Sequence, residues 1–175
     1  MEGYESYIMN IAGICTILAL LLGVFQYYSR EQVKVLVYCV ESTLLTQQPE
    51  IPEVTVFVHY KDTTPIQNLW RIRYTLKNSG NKTIVGEGPQ SSLVTKGAGL
   101  PLYTRNIKRM IQMSIKDNNI AELKDNVLYF KQWLPDEYIT IEACVESTGE
   151  KPELYIDKRD IIGAKVVFKS NGSVI

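Results

Sequence analysis

The chain has 175 residues, 45% apolar and 22% charged, which excludes a disordered polar chain and leaves room for about one domain plus an appendage. Its 19 basic and 19 acidic residues balance, but every Lys and Arg lies at or after Arg30, while Glu2 and Glu5 come before it. From Arg30 onward the charge is only about +2, too weakly basic for net charge alone to imply nucleic-acid binding.

From Ser6 to Ser29 the chain carries no charge over 24 residues. As a helix this run is roughly 36 Å long, enough to cross a hydrocarbon core of about 30 Å with some tilt. A cleavable signal peptide needs a basic start and a small-residue cleavage site, whereas this run opens on "MEGYESY" and ends on "VFQYYSRE". A retained anchor is therefore expected ahead of a signal peptide or a buried soluble helix. Tyr4 and Tyr7 at one end and Tyr27 and Tyr28 at the other occupy the positions of interfacial aromatics. Arg30 and Lys34 follow the run and no basic residue precedes it, so the rule that positive charge stays inside fixes an orientation. The expected layout is a short extracytoplasmic N-terminus (1–7), a single-pass transmembrane helix of the inner membrane (8–29) and a cytosolic domain (30–175).

Ala12, Thr16, Ala19 and Gly23 form one helical stripe of small residues through the middle of this span. The stripe extends to Met9 and Glu5 on one side and to Gln26 and Arg30 on the other. Ile11, Leu18, Leu22 and Phe25 fall elsewhere and suit lipid. Three readings stand: the general Gly and Ala content of membrane helices, a close-packed seam between copies in a homo-oligomer, or a pore-lining face with polar mouths.

The rest reads as β-structure, mainly a sandwich, with a small barrel as the alternative. Val33–Ser42 is a mostly apolar strand. "EVTVFVHY" alternates, placing Val54, Val56, Val58 and Tyr60 on one face. "LWRIRYTLKN" alternates most cleanly, with Trp70, Ile72, Tyr74 and Leu76 inward and Arg71, Arg73, Thr75 and Lys77 outward. "NSGN" is a turn, after which "KTIVG" resumes. Gly86 to Pro101 has the composition of a long loop. Between Thr104 and Asn126 both periods fit; a strand over Ile107–Lys116 followed by a turn at "DNN" is preferred. "VLYFKQW", "YITIEACVE", "ELYI" and "AKVVFKSNG" complete the strands, separated by turns such as "LPDE" and "STGEKP"; "TTP" marks another turn earlier in the chain.

"WRIRYTLKNSGNKTI" resembles the strand-turn-strand of bacterial immunoglobulin-like domains, and "WLPDEYITIEACVE" resembles the opening of a later strand in them. Together these cover about 30 of the 175 residues and imply an immunoglobulin-like sandwich. The long segment from Gly86 and the isoleucine-rich middle depart from that pattern and leave strand order open. Cys39, Trp70 and Cys144 fall in the immunoglobulin order Cys…Trp…Cys. The long spacing and the cytosolic placement favour free thiols over a disulfide.

No catalytic motif emerges, and no enzyme activity, cofactor or metal site is expected. His59 is the single histidine, on the polar side of an alternating strand. "GEGPQSS" lacks the Lys-Ser/Thr of a phosphate loop. The sequons at Asn81 and Asn171 matter only if the domain is exported. The most suggestive feature is basic. Arg71, Arg73 and Lys77 recur on one strand face, and Arg105, Lys108 and Arg109, beside Tyr103, form a second cluster on a segment that can lie next to it. Guanidinium rows can hold phosphates and aromatics can stack bases. The competing reading is a solvated face paired with Glu142 and Glu146. Two functions follow. One is an oligomeric membrane effector or channel, gated by a nucleotide or oligonucleotide and similar in layout to small membrane effectors of anti-phage defence. The other is a membrane-tethered sandwich, held by the helix, that recruits a protein partner.

Overall fold

The computed structural model describes residues 15–27, 32–46, 57–61, 64–86, 99–116 and 119–169. The chain divides into two compact units, Met1–Glu31 and Gln32–Ile175. In the first, residues 15–27 are α-helical and all are exposed, Leu20 at 65% and Phe25 at 70%. This described helix is roughly 20 Å long. Among the described residues no helix is long and apolar enough to cross a membrane. The remainder of the expected span, 8–14 and 28–29, lies outside the described residues, as do Glu5, Ala12 and Arg30.

The second unit is mainly β. Its strands begin with β1 (Val33–Leu44), β2 (Val58–Tyr60), β3 (Thr64–Ile66), β4 (Leu69–Asn78) and β5 (Ile84–Val85). Next come β6 (Gly99–Pro101), β7 (Tyr103–Arg105), β8 (Ile107–Lys116), β9 (Ala121–Lys124) and β10 (Val127–Phe130). The last are β11 (Gln132–Trp133), β12 (Tyr138–Ser147), β13 (Glu153–Tyr155) and β14 (Ala164–Lys169). Five form the main sheet in the order β14-β1-β4-β12-β8, antiparallel except for the parallel pair of β1 with β14. The short strands pair as β6-β10-β9, β11-β5, β13-β7 and β2-β3.

One core joins the main sheet to the short strands. Val35 and Val37 of β1, Ile72 and Leu76 of β4, and Ile139, Ile141 and Val145 of β12 meet Leu100, Leu128, Phe130, Trp133 and Leu154. Each such side chain contributes about 1.5–3 kcal/mol by leaving water. This arrangement is consistent with a sandwich. Among the described residues the five-stranded sheet is open, with β14 and β8 at its edges, so it does not close into a barrel.

The alternation expected for β4 holds, and Thr75 on its outer face is buried as well. Asn78 ends the strand as a buried hub. Its side-chain amide donates to the carbonyls of Lys82 and Trp133, both at 2.9 Å, while its own oxygen accepts the Gly80 N–H at 3.2 Å. Gly80 is required in this turn by close approach, since an added Cβ would collide with the Gln32 carbonyl at the start of β1.

Several short elements depart from expectation. "TTP" lies partly within β3, and the end of the expected 86–101 loop is β6, while 87–98 lie outside the described residues. β7 and β9 are additional strands. Asp125 and Asn126, with φ of 50° and 62°, link β9 to β10 through a two-residue turn. Val54 and Val56 lie outside the described residues; His59, in β2, is exposed. In β8 a bulge changes the inward set: Met110, not Ile111, joins Ile107, Met113 and Ile115 against the core.

Cys39 and Cys144 are free thiols. Both belong to the same sheet with β4 between them, and they occupy opposite faces. Cys39 is buried toward the core and Cys144 is half-buried on the outer face, opposite Arg71. An immunoglobulin-type bridge joins two sheets, which this placement does not allow. Next to Cys39, burial pushes the Tyr74 hydroxyl up to about 12, helped by the neighbouring thiol and opposed by a hydrogen bond with the Leu154 backbone.

Candidate ligand-binding surfaces

The register sets the outer face of the main sheet in rows. One row reads Glu41–Arg73–Glu142–Ser114, the next Thr43–Arg71–Cys144–Gln112. On the other side lie Tyr38–Thr75–Thr140–Lys116 and Leu36–Lys77–Tyr138. Arg71, Arg73 and Lys77 therefore share a face, as the alternation requires. The second cluster does not lie beside them, because β12 intervenes and brings Glu142 and Glu146 with it.

Those carboxylates, and one more, take up the basic row. Simple alternation from Val33 would turn Glu41 inward, but the register of β1 shifts between Cys39 and Glu41, leaving Val40 as an extra residue and turning Glu41 outward. Arg71 Nη2 donates to Glu41 Oε1 at 2.8 Å, and Arg73 Nη1 lies 3.3 Å from Glu41 Oε2. Arg73 also reaches Glu142 Oε2 through Nη2 at 2.9 Å and Nε at 3.2 Å, and Lys116 approaches the same oxygen at 3.7 Å. The Arg71 hydrogen bond holds Glu41 below the usual carboxylate range; that of Arg73, then the charge of Lys116, does so for Glu142. Further along, Lys77 pairs with Asp136 at 2.7 Å.

Lys108 and Arg109 converge on Glu146, because irregularities in β8 place both beside it. Glu146 is buried, with Lys108 Nζ 2.8 Å from Oε1 and Arg109 Nε 3.8 Å from Oε2. The expected pairing with Glu142 and Glu146 is thus present, but divided: Glu142 serves β4 and Glu146 serves β8. An anion docking on this face would have to displace carboxylates already in place. An open depression of about 930 Å³ at one end of the sheet is no better suited, since Asp136 and Glu137 are among its lining.

Arg105 differs from the other five cations. It sits on β7, in the short-strand layer, and among the described residues no carboxylate comes within ion-pairing distance of it. Its guanidinium carbon lies 4.8 Å from the centroid of the Tyr155 ring. That ring stacks on Tyr103, with centroids 5.5 Å apart and planes at 24°. Tyr155 and Glu41 are the site residues that sequence pattern alone did not single out: one needed the β7–β13 register, the other the bulge.

In the helix, Thr16, Ala19 and Gly23 line one shallow groove with Leu20, Val24 and Tyr27. A Cβ added at Gly23 would meet nothing within 4 Å. Among the described residues no cluster of His, Cys, Asp or Glu is suited to hold a metal ion. Comparisons of the chain with protein-family models, curated proteins and solved structures find no match.

Proposed function

We propose that the chain is a membrane-anchored binding module, with the uncharged N-terminal run as a single-pass helix and the β unit, an immunoglobulin-like variant of the sandwich, on the cytosolic side. The observation that carries this reading is the exposure of the described helix. Ile17, Leu18, Leu20, Leu21, Leu22, Val24 and Phe25 are all between 52% and 70% exposed. An apolar side chain left in water forgoes about 1.5–3 kcal/mol of burial, so this surface calls for a lipid or protein environment. The uncharged run around it has the length for lipid. The immunoglobulin-like reading is supported by the two resembling segments, which centre on β4 and β12, paired antiparallel neighbours in the sheet.

A second reading, the oligomeric effector or channel of anti-phage type, is favoured by the Thr16–Ala19–Gly23 groove. Its small residues permit close approach of another helix, and ligand state on the β units would then alter helix packing. The test is protease accessibility combined with particle mass. Protease outside intact cells should spare the β unit, and protease on inverted vesicles should digest it. Digestion outside the cell overturns the orientation. A detergent-solubilised monomer removes the channel and leaves the tether; a ring of copies that loses assembly with Gly23→Leu promotes the channel.

A further inference from the structure

The outward face of the β7–β13 pair carries Tyr103 and Arg105 on one strand and Glu153 and Tyr155 on the other, while Leu154 and Leu102 turn into the core. Along β13 the order is Glu153 opposite Arg105, Tyr155 opposite Tyr103, then Asp157 just beyond. Asp157 holds Arg159: its Oδ2 accepts from Nη2 at 2.6 Å and from Nε at 3.1 Å. The result is a ring stack, Tyr103 on Tyr155, with the Arg105 guanidinium over Tyr155 and the Asp157–Arg159 pair beginning two residues beyond Tyr155 in the chain.

Arg105 and Arg159 differ from Arg73 of the main sheet in how their charge is committed. Arg73 is 26% exposed and bridges two carboxylates. Arg105 has a ring for its partner although Glu153 faces it in register. Arg159 is 83% exposed and bonded to Asp157 of its own turn, with Asp160 adding to the field on it, and an ion pair on so exposed a group is worth little. Exposed cations therefore lie beside half-buried aromatic rings. That pairing matches a ligand with both a flat π-system and phosphate.

We propose that the Tyr103–Tyr155 stack with Arg105 and Arg159 binds a nucleotide, free or at the end of a single strand, its base extending the stack and its phosphate taking the guanidinium groups. This rests on the reading of the β unit as a binding module and gives it a ligand class. Glu153 and Asp157 border the site and limit it to ligands whose base contributes binding, since phosphate alone must compete with two carboxylates.

The experiment is fluorescence anisotropy of a short labelled single-stranded oligonucleotide titrated with the full chain in detergent, with ATP and pyrophosphate as competitors. Binding should weaken as salt rises. Tyr103→Ala and Arg105→Ala should each weaken it on the order of tenfold, the scale of one stacked base. Tyr103→Phe, which keeps the ring, should stay close to wild type, as should Lys116→Ala on the other layer. ATP should compete far better than pyrophosphate. No binding by the wild-type chain, unchanged binding by a folded Arg105→Ala protein, or equal competition by pyrophosphate each overturns the proposal. Membrane fractionation run in parallel separates the two readings. A chain that stays in membranes without binding nucleotide keeps its anchor and loses this site, while one that binds nucleotide but leaves the membrane does the reverse.

Discussion

The two units treat apolar side chains in opposite ways. In the β unit Trp133, Leu76 and Ile84 are wholly shielded from water, and the polar groups around them are paired through Asn78. In the helix every described residue, including five Leu and Ile side chains, faces outward. The first pattern accounts for its own stability. The second leaves its apolar side chains unburied among the described residues, and that contrast is what the proposed anchor rests on. The cations repeat the lesson on a smaller scale: those of the main sheet are paired with carboxylates of the same sheet or its end turn, whereas Arg105 has the Tyr155 ring for its partner.

The contrast can be broken or sharpened by substitution, beginning with the largest effect. Trp133→Ala should cost about 3–5 kcal/mol, losing the edge contact with Phe130 at 5.6 Å and the indole hydrogen bond to the Glu137 carbonyl at 3.0 Å. A lowered urea midpoint by circular dichroism checks this, with membrane association unchanged. Leu21→Arg should do the converse. It costs about 3 kcal/mol of insertion and moves protein out of the membrane fraction without shifting that midpoint. At high pH the β unit should lose about 3 kcal/mol, because Tyr74 is held neutral when folded, up to about 12. Its folded value lies above its ordinary one, so the stabilisation is complete below pH of about 10 and disappears as pH climbs toward the folded value. Tyr74→Phe should flatten that alkaline loss. The smallest effect belongs to Arg73→Met. Glu41 and Glu142 are held below the ordinary carboxylate value, so their contribution is present above pH of about 4.3 and lost as acid protonates them. The variant should show a slightly lower midpoint at neutral pH and a shallower decline in acid.

Much of the main sheet was legible because period-two alternation survives in β4 and β12, where both neighbours are long strands. The same alternation places Cys39 with Val33, Val35 and Val37, and Cys144 with Glu142 and Glu146, so their opposite faces were readable too. What was hidden depends on irregularity. The extra residue in β1 turns Glu41 toward the arginines, and the two in β8 replace Ile111 by Met110 and gather Lys108 and Arg109 over Glu146. No pattern in the residues announces a bulge. "ELYI" was readable as a strand, but β7, three residues long, is too short for a periodic signal, and the Tyr103–Tyr155 stack exists only through its pairing with β13.

The anchor is tested most directly by washing membranes from cells expressing the full chain with alkaline carbonate and sequencing the N-terminus of what remains. The account predicts that the protein stays in the pellet with residues 8–29 intact. Release into the supernatant, or a mature chain beginning near Arg30, would contradict it.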